Sequence, residues 1–219
     1  MTSIALRNSE GKKRPLADID NEVDQLINTS IAFNQRVLLI MIDVSKTGLI
    51  APSPGYVVAL RDRFPDEVDV LIDACQFRIS NATLNAYLKS GCMVALTGSK
   101  FLTGPVFSGV LHVPSQLIPR LSRQTLPASL ADYSAKAEWP ARWQATKQLS
   151  DTVNWGLLLR LEAALAVVQG LEHRVFGVSE EDRQALEPKL QGVTAAISDT
   201  IHTVIHLMPE GEKLTRRGN

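Results

Sequence analysis

Two polar side chains that can cooperate in chemistry follow neighbouring apolar runs of the sequence. Lys100 follows the apolar run of residues 94–96 and three small residues, and Asp73 closes the apolar run of residues 68–72. If both runs are parallel strands of one sheet, the two side chains lie at its carboxyl edge, where open α/β sheets bind ligands. An amine that forms a Schiff base and a carboxylate that pairs with a pyridinium nitrogen are what pyridoxal phosphate chemistry requires.

The hydrophobic pattern predicts the elements that must position these side chains. Strands are predicted at Val37–Ile42, 68–72 and 92–96, and helices at 16–35, Pro54–Arg63 and Asn81–Lys89. Ser53 is a plausible N-cap of the second helix, and Gly91 is a plausible stop after the third. Strands that alternate with helices at this spacing imply right-handed crossovers and a mainly parallel sheet.

The rest of the chain has a different character. Residues 105–113 are apolar and follow the third strand after a loop too short for a crossover helix, so an antiparallel fourth strand is expected. Residues 123–140 are predicted to be a long ordered loop, and residues 155–168 an amphipathic helix. Residues 180–190 predict another helix, whereas residues 194–207 fit either a helix or a strand.

Composition narrows the class of protein. Of the 219 residues, 45% are hydrophobic and 21% are charged, which is typical of a globular protein. The 23 basic and 23 acidic residues cancel, so neither nucleic acid nor an anionic membrane is an expected partner. The N-terminus lacks an apolar signal core, and Cys75 and Cys92 are expected to be free buried thiols. We therefore expect a cytoplasmic α/β protein.

Two motifs carry a resemblance to a known family. The first is Asp73-Ala74-Cys75-Gln76, and the second is Thr97-Gly98-Ser99-Lys100-Phe101-Leu102-Thr103-Gly104-Pro105, followed by Ser108-Gly109. In order and spacing they resemble the class V aminotransferase-like group of fold-type I pyridoxal-phosphate enzymes, which includes cysteine desulfurases and kynureninase-like lyases. That family has Asp-x-x-Gln closing one strand, a second strand leading to Lys, then Gly-Pro and an antiparallel strand containing Ser-Gly. The turn at residues 47–52 is also similar to a family loop, and the resemblance covers residues 37–114.

The resemblance implies a function and a role for five residues. The chain would bind pyridoxal 5'-phosphate and act on an amino acid or related amine, as a transferase or lyase and as a homodimer. Lys100 would form the Schiff base and shuttle a proton at the substrate α-carbon, and Asp73 would pair with the pyridine nitrogen. Gln76 would lie near the phenolic oxygen of the ring, and Thr97 and Ser99 are candidates for phosphate contacts. Many family members carry His before the lysine, so Ser99 points away from a standard cysteine desulfurase.

The resemblance also implies the domain organisation. The fold would be a three-layer α-β-α large domain with a mainly parallel sheet, its N-terminal part missing, followed by a mostly helical C-terminal segment. Residues 1–15 would be a disordered basic N-terminus, residues 16–122 a partial cofactor-binding domain, and residues 123–219 a linker and a partial small domain. The 36 residues before Val37 contain no glycine/serine/threonine loop for the phosphate. The chain is therefore expected to be a fragment.

Other interpretations of the sequence stay open. One is a catalytically inactive remnant of such an enzyme, and another is an unrelated α/β protein that binds a different phosphorylated ligand at the same edge. Lys46-Thr47-Gly48 occurs in serine β-lactamases, but no Ser-x-x-Lys helix accompanies it here. His202 and His206 are four residues apart but lack acidic or cysteine partners, so no metal site is expected.

Overall fold

The fold is described from a computed structural model. It covers residues 1–100, 104–152 and 154–176, with side chains up to residue 166. Residues Met1–Val167 form one compact unit, and a second unit begins at Val168. The predictions made for residues 180–190, residues 194–207, His202 and His206 lie outside the described residues.

An open four-stranded sheet forms the centre of this α/β fold, and its strand order follows the chain. The elements are α1 (Leu16–Ala32), β1 (Val37–Ile42), α2 (Pro54–Arg63), β2 (Val68–Asp73), α3 (Asn81–Lys89), β3 (Met93–Thr97) and β4 (Gly109–His112). Strands β1, β2 and β3 are parallel, and β4 is antiparallel to β3. The mainly parallel sheet and the antiparallel fourth strand are both confirmed.

Helical segments follow the sheet. They are a 3-10 helix at Ser115–Leu117, α4 (Ile118–Leu121), α5 (Ala128–Ala131), two more 3-10 helices at Lys136–Glu138 and Gln144–Gln148, and α6 (Trp155–Phe176). The region predicted as a long loop therefore contains short helical turns, and α6 continues eight residues beyond its predicted end. Within the described ranges, no helix combines the length and apolar character needed to cross a membrane.

Local sequence explains where the helices begin and end. The Oγ of Ser53 accepts a hydrogen bond from the backbone N–H of Tyr56 (3.4 Å), which is the predicted N-cap of α2. The same hydroxyl donates to Oδ2 of Asp20 (2.5 Å) and so ties α2 to α1. Helix α1 ends three residues earlier than predicted, because Asn34 takes a left-handed φ of 55° that does not continue a helix.

The hydrophobic core lies on one face of the sheet. Strand pairing places Met41, Ile72 and Val94 side by side there, and all three are fully buried. Helices α1, α2 and α3 cover this face with the apolar residues Ile19, Val23, Ile27, Val57, Leu60 and Tyr87. Ile4 and Leu6 of the N-terminal segment also pack against this core. Successive right-handed crossovers in one direction put α2 and α3 on the same side.

The opposite face of the sheet is more open. Leu38 and Ile40 of β1 point to this side and are 54% and 47% exposed. Asp69 of β2 also lies here, in ion pairs with Arg36 (3.2 Å) and with Arg120 of α4 (2.5 Å). The observed sheet and helices are compatible with three-layer α/β architectures in general.

Candidate functional site at the carboxyl edge of the sheet

Asp73 and Lys100 lie at the same edge of the sheet. Asp73 is the last residue of β2 and pairs with Ala95 of β3. Lys100 follows the end of β3 by three residues. Because β2 and β3 are parallel neighbours, both strands end at the carboxyl edge, where the sequence placed these two residues. Asp73 is half-buried and Lys100 is exposed, so the amine is open to a ligand from solvent.

Cys75 follows Asp73 by two residues at the carboxyl end of β2. Its backbone N–H donates to Oδ1 of Asp73 (3.1 Å), and its Sγ lies 3.8 Å from the carbonyl oxygen of Ala95. Burial raises the pKa of the Cys75 thiol to about 11, the Asp73 carboxylate adds to this rise, and the positive charge of Lys100 opposes it. One thiol therefore senses both charges. Among the residues that the structure describes, Asp73 and Lys100 form no ion pair with each other, and neither forms one with a third residue.

A hydroxyl-rich turn connects β3 to Lys100. The Oγ1 of Thr97 and the Oγ of Ser99 are hydrogen-bonded to each other at 2.9 Å. The backbone N–H of Ser99 also donates to Oγ1 of Thr97 (3.3 Å). A hydroxyl can donate one hydrogen bond and accept two, and one of these hydroxyls donates to the other, so the pair has one donor left for a ligand. The turn thus carries two hydroxyls within the three residues that precede Lys100.

Close packing against α6 holds this turn. A Cβ built on Gly98 would lie only 2.5 Å from Cβ of Ala164 and 3.0 Å from Oγ of Ser108. A Cβ on Gly104 would lie 2.9 Å from the carbonyl oxygen of Gly98 and 3.0 Å from Cβ of Ala164. Ser108 is buried and donates to the carbonyl oxygen of Pro105 (2.7 Å). Glycine is therefore needed at both positions because a helix approaches the loop.

Sequence reasoning missed two contributors to this edge. One is Ala164, which the sequence marks only as part of the apolar stripe of α6. The other is Asp43, which follows β1 as Asp73 closes β2, and which is buried. Its Oδ2 accepts a hydrogen bond from the hydroxyl of Tyr87 (2.7 Å), and its backbone N–H donates to the carbonyl oxygen of Asp73 (3.0 Å). The sequence signal that could have identified Asp43 is that an aspartate stands at the end of both β1 and β2.

The remaining predicted residue, Gln76, is half-buried and follows Cys75 directly. Its side chain makes no hydrogen bond to another residue in the described part of the chain. Residues 101–103 of the second motif lie outside the described residues. Within the side chains described, no group of three or more His, Cys, Asp or Glu residues comes together as a metal site.

No protein-family model, curated protein or solved structure matches the chain. The site itself therefore has to carry any functional conclusion. It offers an exposed amine, a half-buried carboxylate without an ion-pair partner among the described residues, and two hydroxyls on one turn. These groups suit a ligand that offers an electrophilic or anionic group to the amine, a cationic or hydrogen-bond-donating group to the carboxylate, and hydrogen-bonding atoms to the hydroxyls.

Proposed function

We propose that the carboxyl edge binds pyridoxal 5'-phosphate and that the chain acts on the amino group of an amino acid or related amine. The observation that carries the proposal is the position of Lys100 and Asp73 after adjacent parallel strands, at the same edge of the sheet. The antiparallel β4, which follows Gly104-Pro105, also agrees with the class V aminotransferase-like pattern. A three-layer fold-type I large domain and a homodimer are parts of the same proposal.

The residues present fit the cofactor. Asp73 would pair with the pyridine nitrogen through its carboxylate, and the Lys100 amine is exposed enough to be reached by the aldehyde. Of Thr97 and Ser99, the one whose hydroxyl does not donate to the other would donate to the phosphate, and Gln76 would lie beside the ring. When bound, the cofactor would supply a ring that accepts negative charge from the substrate α-carbon.

The protein groups would contribute by position and charge. The negative charge of Asp73 would hold a proton on the ring nitrogen, an interaction that becomes stronger as the ring gains electrons and therefore favours reaction. Lys100 would hold and return the proton at the substrate α-carbon, because its amine reaches the same edge. Whether the reaction is a transfer or an elimination depends on the substrate.

Covalent labelling tests this proposal directly. The chain is titrated with pyridoxal 5'-phosphate, reduced with borohydride, and mapped by peptide mass spectrometry. We expect saturable absorbance and one pyridoxyl label, on Lys100, both of which are lost in Lys100→Ala. Lys46→Ala is the matched control, since Lys46 is an exposed lysine in the turn after β1. A label distributed over several lysines in proportion to their exposure would refute the proposal.

A second variant tests the carboxylate. Asp73→Asn keeps the shape of the side chain but removes its charge, and hydrogen bonds to charged groups are worth about 1.5–3 kcal/mol. We therefore expect the dissociation constant for the cofactor to rise roughly 10- to 100-fold. An unchanged dissociation constant would show that Asp73 does not contact the ring.

A different phosphorylated ligand is the second candidate function, favoured by the hydroxyl pair of Thr97 and Ser99 on the turn that leads to Lys100. Pyridoxamine 5'-phosphate, which has no aldehyde, separates the two candidates. Equal binding of this compound to the native chain and to Lys100→Ala, with no Lys100-dependent absorbance from pyridoxal 5'-phosphate, would favour simple phosphate binding. Saturable binding of neither compound would identify an inactive remnant.

A further inference from the structure

A concave site lies between β4, the segment around residues 138–143 and the first turns of α6. It is a groove of about 1260 Å³. Its walls are mainly apolar and include Val110, Leu111, Trp139, Trp143, Leu158 and Leu161. None of the five residues proposed to bind the cofactor lines it. Typical small-molecule sites have volumes of about 300–1,000 Å³ and apolar walls with few polar groups, so this groove can take a small organic ligand.

The acidic residue in the groove is already satisfied by the protein. Oε1 of Glu138 accepts hydrogen bonds from the backbone N–H of Ala135 (3.1 Å) and from Nδ2 of Asn154 (3.0 Å). Oε2 of Glu138 accepts from Oγ of Ser134 (3.1 Å). The indole N–H of Trp139 donates to the same Ser134 hydroxyl (2.6 Å). Both carboxylate oxygens of Glu138 and the indole N–H of Trp139 are therefore already hydrogen-bonded within the protein.

Arg142 is the other charged residue of the lining. Its guanidinium forms neither an ion pair nor a hydrogen bond with any residue in the described ranges. A guanidinium presents five N–H donors in a planar fork that matches a carboxylate. The groove therefore combines a long apolar wall with one cation that has its donors available.

We propose that this groove binds a small amphiphilic carboxylate, with its apolar chain against the Trp139 and Trp143 walls and its carboxylate on Arg142. The proposal does not depend on the function of the carboxyl edge, because the two sites share no lining residue. An uncharged or cationic amphiphile offers the same apolar contact but no partner for Arg142. Discrimination by head group is therefore the property to measure.

Intrinsic fluorescence reports on this groove directly. Two of the three tryptophans of the chain, Trp139 and Trp143, line it, and their rings form an edge-to-face pair 6.2 Å apart. The chain is titrated with laurate, dodecanol and dodecyltrimethylammonium, each kept below its critical micelle concentration. We expect a saturable change with laurate, at least about tenfold weaker binding of dodecanol, and the weakest binding of the cationic amphiphile.

Paired variants assign the binding to the groove. Arg142→Gln should remove the preference for laurate over dodecanol, whereas Arg123→Gln, an exposed arginine outside the lining, should keep it. Leu158→Asp should abolish binding of both probes. Its control is Leu159→Asp, since Leu159 is 64% exposed and does not line the groove.

Three results would overturn the proposal. They are a laurate signal that does not saturate, equal affinity for the three head groups, and a laurate preference that survives Arg142→Gln. The Arg142→Gln result stands even if Leu158→Asp fails to fold. Laurate binding should also be unchanged in Lys100→Ala, which separates failure of this proposal from failure of the proposed cofactor site.

Discussion

Replacing Gly98 with alanine tests how tightly α6 holds the loop that carries Lys100. The new Cβ would lie 2.5 Å from Cβ of Ala164 and 3.0 Å from Oγ of Ser108, and both of these neighbours are buried. A methyl group attached directly to the backbone cannot rotate away from such a contact. Either the loop or the helix must therefore move, and overpacking of this kind costs about 1–3 kcal/mol.

We expect Gly98→Ala to lower the free energy of unfolding by about 2 kcal/mol, measured by urea denaturation followed by circular dichroism. The double variant Gly98→Ala/Ala164→Gly removes the 2.5 Å contact, although a glycine inside α6 costs about 1 kcal/mol by itself. The loss in the double variant should therefore be smaller than the sum of the two single losses, by about 1 kcal/mol or more.

Gly55→Ala provides the control for this experiment. Gly55 lies in α2, where an added Cβ meets nothing within 4 Å. Alanine also favours a helix, so we expect stability to be unchanged or raised by up to about 1 kcal/mol. If Gly98→Ala proves as stable as the native chain, or if the two single losses simply add, α6 does not pack on this loop. The position described for Lys100 would then be incorrect.

Two further perturbations test buried polar groups at both ends of the sheet. Tyr87→Phe leaves the buried Asp43 carboxylate without its hydroxyl donor and should lower the free energy of unfolding, measured in urea, by about 1–3 kcal/mol. Tyr56→Phe is the control and should lower the free energy of unfolding by less, because its acceptor Asp24 also pairs with Arg63. Burial raises the pKa of the Cys75 and Cys92 thiols from 9.0 to about 11, so their contribution to stability is complete below pH 9 and is lost as the pH rises through 11. Between pH 9 and 11 the urea midpoint of the native chain should fall more steeply with pH than that of the double variant Cys75→Ala/Cys92→Ala. Equal dependence of the two midpoints on pH would contradict the raised pKa of these thiols.

Much of the fold is predictable because its signals are local. The apolar run at β1 and the Ser53 cap at α2 are contained within a few residues, and both elements have their predicted bounds. Strands β2 and β3 each end one residue later than predicted, at Asp73 and Thr97, and β3 also begins one residue later, at Met93. Hydrophobicity marks where side chains are buried, whereas a strand ends where backbone pairing ends, and polar residues can still pair.

The candidate site is only partly predictable, for a related reason. The shared edge of Asp73 and Lys100 follows from the alternation of strands and helices, which is a regular pattern. The bond between Tyr87 and Asp43 joins residues 44 positions apart, and no periodicity marks it in the sequence. Ala164 likewise looks like any small residue on a helix stripe until the approach of Gly98 is known. Long-range contacts of this kind depend on how complete elements pack.

Helix α6 links the two sites that the structure presents. Leu157, Leu161 and Ala164 are spaced so that they share one face of the helix. The first two line the groove, and Ala164 contacts the loop at Gly98. Because a helix moves largely as a rigid element, the distance between α6 and that loop and the width of the groove change together. Gly98→Ala, which adds volume only at the loop, should therefore also weaken laurate binding, even though Gly98 does not line the groove.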